Sequence, residues 1–329
     1  VKPSVVAGAG AAVAVVAAGG WFYASGVADS RADQEIRRWL HDAEIADVVR
    51  YGDVSYGLFS GQVTIHDLTI GPDGPTGISI GSLKLSDPVK TAESWEGRHW
   101  SEAEDVEIDL LGLARTDPSA LPDDLPAGLL ELGYYRLKGD VRVDWTYDPD
   151  DGVAESAYAF EIEDLGKATL SVAISGLDSR IVEFVRGLSN DPDEAFARAM
   201  RFMEDGTAET LFQIALADLQ AEFEDDGLRD RVEASLRERA ADPDEDPLAD
   251  ILDGVADTGE FLTRNGADIR DSVEVLQDFL RNGGRIRIVT QIDRPIPFLR
   301  QGGFLGFGPS AAFEDGPAFV RATGAHLDD

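Results

Sequence analysis

From Tyr135 to Tyr147 every second position is apolar, aromatic or glycine: Tyr135, Leu137, Gly139, Val141, Val143, Trp145 and Tyr147, with charged or polar residues between. Successive side chains of an extended backbone point to opposite sides, so this period of two predicts a long strand with one greasy face and one wet face. As a helix the same residues would scatter around the whole circumference. A strand of this kind needs neighbours with matching faces. Asp148-Pro149-Asp150-Asp151-Gly152 turns the chain, Tyr158, Phe160 and Ile162 return it, and Leu170, Val172 and Ile174 supply a third strand beyond Gly166. Such a meander is antiparallel, which allows one face to be covered and the other wet.

Upstream, residues 46–51, 54–59 and 62–70 are short β-rich runs, and the last ends in the turn Gly71-Pro72-Asp73-Gly74. Ile78 and Ile80 change phase to Leu83 and Leu85 at Gly81-Ser82, which predicts a bulge. Val106, Ile108 and Leu110 mark a further strand. Downstream the pattern turns helical, with one helix around Ile181-Val182 and Phe184-Val185 and another starting at Asp191-Pro192. Residues 211–223 favour strand, 228–240, 247–263 and 268–280 helix, and 285–292 a closing strand. The expected fold class is α+β: an N-terminal transmembrane helix, then a large antiparallel β-sheet (meander) packed with C-terminal helices. The expected divisions are 1–28 membrane anchor, 29–45 juxtamembrane helix, 46–177 antiparallel β-rich region, 178–300 helical region with closing strand, and 301–329 Gly/Phe-rich irregular tail.

The anchor expectation rests on the stretch from Pro3 to Ala28, which carries no charged residue. Residues 5–24 would span the roughly 30 Å hydrocarbon core as a helix at ~1.5 Å per residue, with Trp21, Phe22 and Tyr23 at the membrane interface. A cleaved signal peptide ending at Gly26-Val27-Ala28 is the rival reading. The run implies a signal anchor, a single-pass bacterial inner-membrane protein with the bulk of the chain periplasmic, and the lipid bilayer as its first partner.

Charge narrows the partners. The chain of 329 residues holds 63 acidic and 29 basic residues, a formal net of −34, with only five lysines. That excess repels phosphate backbones, so nucleic acid is not an expected partner. It suits a halophilic or salt-tolerant source, because near 1 M salt the Debye length falls to roughly 3 Å and like-charge repulsion is screened. The absence of cysteine excludes disulfides, thiolate metal sites and cysteine nucleophiles.

No catalytic constellation stands out, and neither a cofactor nor an enzymatic activity is expected. Gly77-Ile78-Ser79-Ile80-Gly81 spells a hydrolase elbow, but that motif needs a helix after the turn and Leu83-Lys84-Leu85 continues as strand. A hydrolase is therefore only a remote alternative. His41, His66, His99 and His326 show no paired metal spacing. Asp242, Asp244, Asp246, Asp250 and Asp253 fall at calcium-loop spacing, yet Pro247 occupies the position that needs positive φ, so Asp246 as helix cap before Pro247 is the preferred reading. Arg285, Arg287, Arg294 and Arg300, with Arg281, form a basic stretch able to meet an anionic partner. The candidate binding face is Tyr135, Leu137, Val141, Val143, Trp145 and Tyr147.

Gly19-Gly20-Trp21-Phe22-Tyr23, followed by Val54-Ser55-Tyr56-Gly57-Leu58-Phe59-Ser60-Gly61 leading into Val63-Thr64-Ile65, resembles the start of the YdgA-like bacterial envelope proteins. The strand, Ser-Gly loop and strand ending at Leu68-Thr69-Ile70 is similar to the AsmA-like pattern. The resemblance is best over about residues 5–70. It implies an inner-membrane anchor, a β-rich periplasmic body, and for AsmA-like relatives a part in lipid handling or envelope assembly. The function expected is a membrane-anchored, non-enzymatic binding or scaffold module. The alternative is an accessory subunit of a membrane protein complex.

Overall fold

In the computed structural model, which describes residues 48–57, 60–71, 77–86, 96–116, 125–182, 207–240, 246–267, 269–301, 307–313 and 315–328, the alternating segment forms one long strand, β6 (Arg136–Asp148). Before it come β1 (Val49–Arg50), β2 (Val54–Tyr56), β3 (Val63–Ile70), β4 (Ile78–Leu85) and β5 (Gly97–Asp109), then the short helices α1 (Leu110–Thr116) and α2 (Leu125–Glu131). After it come β7 (Val153–Ile162), β8 (Gly166–Ser175), β9 (Ala215–Asp225), α3 (Leu228–Arg239), α4 (Ala249–Arg264), α5 (Arg270–Asn282) and β10 (Arg285–Val289). The chain closes with β11 (Ile296–Pro297), β12 (Leu299–Gln301), β13 (Phe307–Pro309), α6 (Gly316–Thr323) and β14 (His326–Asp328).

One 12-stranded antiparallel sheet runs in the order β1-β3-β4-β5-β6-β7-β8-β9-β10-β14, with β2 also on β3 and β11 also on β9. β12 and β13 pair separately. Almost every strand lies beside its neighbour in sequence, as the succession of turns predicts.

The phase change expected in β4 is shared by its neighbours. Apolar residues switch parity at the same level in β3 (Val63, Ile65, then Leu68, Ile70), in β4, and in β5 (Ala103, then Val106), so these three strands stay in register with one another. The irregularity surfaces only against β6, where Ala103 faces Val141 but Val106 faces Gly139. Asp67 and Asp105 sit there at φ 53° and 52°, and Asp140 accepts a hydrogen bond from the Asp105 N–H at 2.9 Å. Gly81 lies between the two aspartates, and a Cβ on it would come within 2.8 Å of the Asp105 Cβ. A bulge of this kind bends a sheet locally. Here it lets three strands turn the same side chains inward on both sides of the bend.

The buried core lies under that bent half. Val63, Ile80 and Leu83 are at most 2% exposed, and Leu113 of α1 with Leu129 and Leu130 of α2 packs against the same cluster. Tyr134 closes it, with its hydroxyl donating to the Asp164 carbonyl at 2.6 Å and the Arg231 guanidinium 4.3 Å above its ring. At the other end of the sheet, α5 lies beside β10 and β14, where the Leu327 N–H donates to Ser272 Oγ at 2.9 Å.

Among the described residues no helix is long and apolar enough to cross a membrane. The expected fold class is corrected accordingly: the described residues form a large antiparallel sheet with helices, none of those helices is membrane-spanning, and the expected transmembrane helix, signal anchor and single-pass inner-membrane placement find no support in them. Residues 1–28, with Trp21, Phe22 and Tyr23, and the expected juxtamembrane helix at 29–45 lie outside the described residues, as does the helix expected from Asp191. Further differences are local. Leu110, expected on a strand with Val106 and Ile108, opens α1 instead. α4 begins at Ala249 rather than Pro247. The tail expected to be irregular contains α6 and β14, the latter joined to the main sheet through Ile288 and Leu327.

Candidate binding face of the sheet

Residues directly opposite one another in an antiparallel pair share a face, so the register gives the composition of each side. One row reads Ile65, Leu83, Ala103, Val141, Phe160, Ala168, Phe223 and Ile286 across eight strands. Every member is apolar. The adjacent row runs from Val63 and Leu85 through Val143, Tyr158 and Leu170 to Ile288 and Leu327, with Ser101 and Ala221 in between. Lys84, Glu102, Arg142, Ala159, Thr169, Glu222, Arg287 and Asp328 form the row on the opposite side. The sheet thus has one greasy face and one charged face along its full width.

Along the two apolar rows burial changes at β6, although the face is buried again at Leu216, opposite Ile174 at the end of β8. Ile65, Leu83 and Ala103 are buried, whereas Phe160, Leu170, Val172, Leu219 and Phe223 are half-buried. Leu137 and Val141 still touch the core cluster, and beyond them only Leu165, in the β7–β8 turn, and Leu228 of α3 reach it. Phe279 of α5 meets Phe223 edge-on at 6.0 Å, which sets the far limit of this half-covered stretch.

The expected face residues fall on β6 with one exception. Leu137, Val141 and Trp145 are half-buried, and Val143 and Tyr147 are buried, at 9% and 5% exposure. Trp145 stacks on His99 with ring centroids 4.5 Å apart. The Tyr147 hydroxyl donates to the Leu177 carbonyl at 2.9 Å, and burial pushes its pKa up. Tyr135 precedes the strand and is 56% exposed, so it does not belong to the covered side. The face also extends over β7, β8 and β9, through Tyr158, Phe160, Leu170, Val172, Leu219 and Phe223.

The charged face is laced by ion pairs. Lys84 bonds Glu104, which also accepts from Ser82 Oγ at 2.9 Å. These two hydrogen bonds, Lys84 first, hold the Glu104 carboxyl below its ordinary pKa, and the Glu104 contact raises Lys84. Arg142 at 2.7 Å and Arg98 at 2.8 Å grip Asp144, and the Arg142 hydrogen bond leads in lowering its pKa. Arg285 and Arg287 both reach Glu222, at 3.7 and 3.0 Å, while Arg294 lies exposed in the loop after β10 and Arg300 belongs to β12. The four arginines are thus spread over two strands and a loop.

Ser79 sits mid-strand in β4 between Thr69 and Glu107, with strand continuing to Leu85 in place of the helix an elbow needs. Asp242 and Asp244 lie outside the described residues. Asp246 accepts from the Leu248 N–H at 3.0 Å and so fixes the turn before α4, while Asp250 and Asp253 are exposed on that helix. Among the described residues no group of three or more His, Cys, Asp or Glu could hold a metal ion.

A family described only as "Uncharacterized protein" matches residues 159–312, from β7 through β13. That region holds the face from Phe160 onward and the helices α3, α4 and α5. No curated protein matches this chain.

Proposed function

We propose that the protein is a non-enzymatic binding or scaffold module whose greasy sheet face takes an elongated apolar ligand of the lipid acyl-chain class. The observation that carries this reading is the continuous apolar row from Ile65 to Ile286, buried up to β5 and half-buried beyond it. A one-sided sheet normally completes its core on both halves, so a half-buried stretch of Trp, Tyr, Phe, Leu and Val marks a surface that an apolar partner finishes. Strand rows spaced ~4.8 Å apart present a long, even strip, which favours an extended chain over a compact ring. The resemblance to YdgA-like and AsmA-like proteins supports the same reading, through a β-rich body that brings no catalytic residues and, for the AsmA-like pattern, through lipid handling.

Titration of the full chain with a fluorescent fatty-acid analogue, read by energy transfer from tryptophan, tests it. Saturable binding that Leu170→Glu weakens about tenfold is expected. Absence of saturable uptake, or uptake indifferent to that substitution, rejects the apolar-ligand function.

A further inference from the structure

Phe279 meets one row of the greasy face at Phe223, but the adjacent row goes on, from Leu170 on β8 over Ala221 and Ile288 to Leu327 on β14. Ile288 is 41% exposed, so this row stays open to solvent where α5 lies beside β10. Leu327 then lines a groove of about 320 Å³ between α4 and α5, together with Val255, Leu262, Val273 and Leu276. One side chain therefore belongs to both surfaces, and the apolar row runs into the groove without a polar break.

No charged residue lines the groove, and both of its hydroxyls are tied to the backbone: Thr258 Oγ1 donates to the Gly254 carbonyl at 2.8 Å, and Ser272 Oγ accepts from the Leu327 N–H at 2.9 Å. A carboxylate placed there would lose its hydration without gaining a partner, whereas a methyl end has no hydrogen bonds to lose. The volume is at the lower limit of ligand pockets, which suits the end of a chain better than a whole lipid. From Leu170 to Leu327 there are three strand steps, about 14 Å at ~4.8 Å each. An acyl chain in one bilayer leaflet spans about half of the ~30 Å hydrocarbon core, roughly 15 Å. We propose, resting on the acyl-chain function given above, that the groove between α4 and α5 takes the methyl end of the same chain whose middle lies along Leu170, Ala221 and Ile288. The protein thereby selects full-length acyl chains over short ones.

The test is displacement of the fluorescent fatty-acid analogue from the full chain by unlabelled saturated fatty acids of about 8 and about 16 carbons, in wild type and in Gly254→Leu. Gly254 lines the groove, and a Cβ on it meets nothing within 4 Å, so leucine there fills the groove without a clash. The wild type is expected to prefer the longer acid, and Gly254→Leu to cut that preference about tenfold, roughly the effect of two buried methylenes. Thr258→Phe narrows the same groove and takes the place of Gly254→Leu if that variant fails to fold. An unaltered ratio of the two affinities in the variant overturns the proposal and leaves the apolar-ligand function of the face standing. If neither acid binds the wild type saturably, that function fails and the proposal fails with it.

Discussion

Truncating two leucines of the same face to alanine measures where the core ends. Leu83 and Leu170 lie in adjacent rows of the greasy side, and differ in that Leu83 is 2% exposed inside the buried cluster while Leu170 is half-buried outside it. Leu→Ala at a closed site removes the transfer free energy and leaves a cavity, together about 2–5 kcal/mol. At a position already open to solvent no closed cavity forms, and only part of the transfer term, about 1 kcal/mol, is lost. Urea unfolding in about 1 M NaCl, where surface repulsion is screened, is the suitable assay, with the slope compared to confirm an unchanged transition. Leu83→Ala is expected to lose about 3 kcal/mol and Leu170→Ala about 1 kcal/mol. Losses equal to within about 0.5 kcal/mol would refute the division at β6 and make the whole face ordinary core.

Gly139→Ala would place a Cβ 1.8 Å from the Glu161 carbonyl oxygen across the β6–β7 pair, so a loss of about 2 kcal/mol or more is expected. A melting temperature within about 1 °C of wild type contradicts the close approach. Glu104 is depressed by its bonds to Lys84 and Ser82, so the stability it supplies is present at neutral pH and disappears as the pH falls through the lowered folded value. Glu104→Gln therefore flattens the acid limb of the stability profile at high salt, and an unaltered limb speaks against the ion pair. With a net of −34, raising NaCl from about 0.05 to about 1 M is expected to raise the melting temperature, since the gain from screening the excess carboxylates exceeds the loss from the exposed ion pairs. A fall would show that the surface pairs dominate.

The meander was legible because its signal is local. Period-two alternation fixed β6, β7 and β8, and the phase slip at Gly81-Ser82 announced the bend. Its sharing by β3 and β5 is a property of register, and appears only when Asp67, Gly81 and Asp105 are seen side by side. α6 did have a signal in the sequence: Asp315 caps it by accepting from the Ala318 N–H at 2.6 Å, Pro317 follows in the first turn and Gly324 ends it at φ 60°, but the neighbouring Gly and Phe residues drew attention to composition instead. The anchor expectation rests on hydropathy, length and the aromatic edge of Trp21, Phe22 and Tyr23, all properties of a segment by itself. They supply no test of what the folded body is; the segment lies outside the described residues, among which no helix is long and apolar enough to cross a membrane. For the face, sequence marked one strand and overreached by Tyr135. Its continuation over β7 to β9 required pairing partners, and the change from buried to half-buried required knowing where α1 and α2 fall.

Because successive strands are nearly all neighbours in the sheet, most of them can pair with the one made just before, across tight turns from β6 to β8 and across longer connections from Ser175 to Ala215 and, through α3, α4 and α5, from Asp225 to Arg285. The bent, well-filled portion also precedes the half-buried portion in the sequence. A ribosome would therefore deliver a finished platform early, and every later ribbon could zip onto an edge that is already solid.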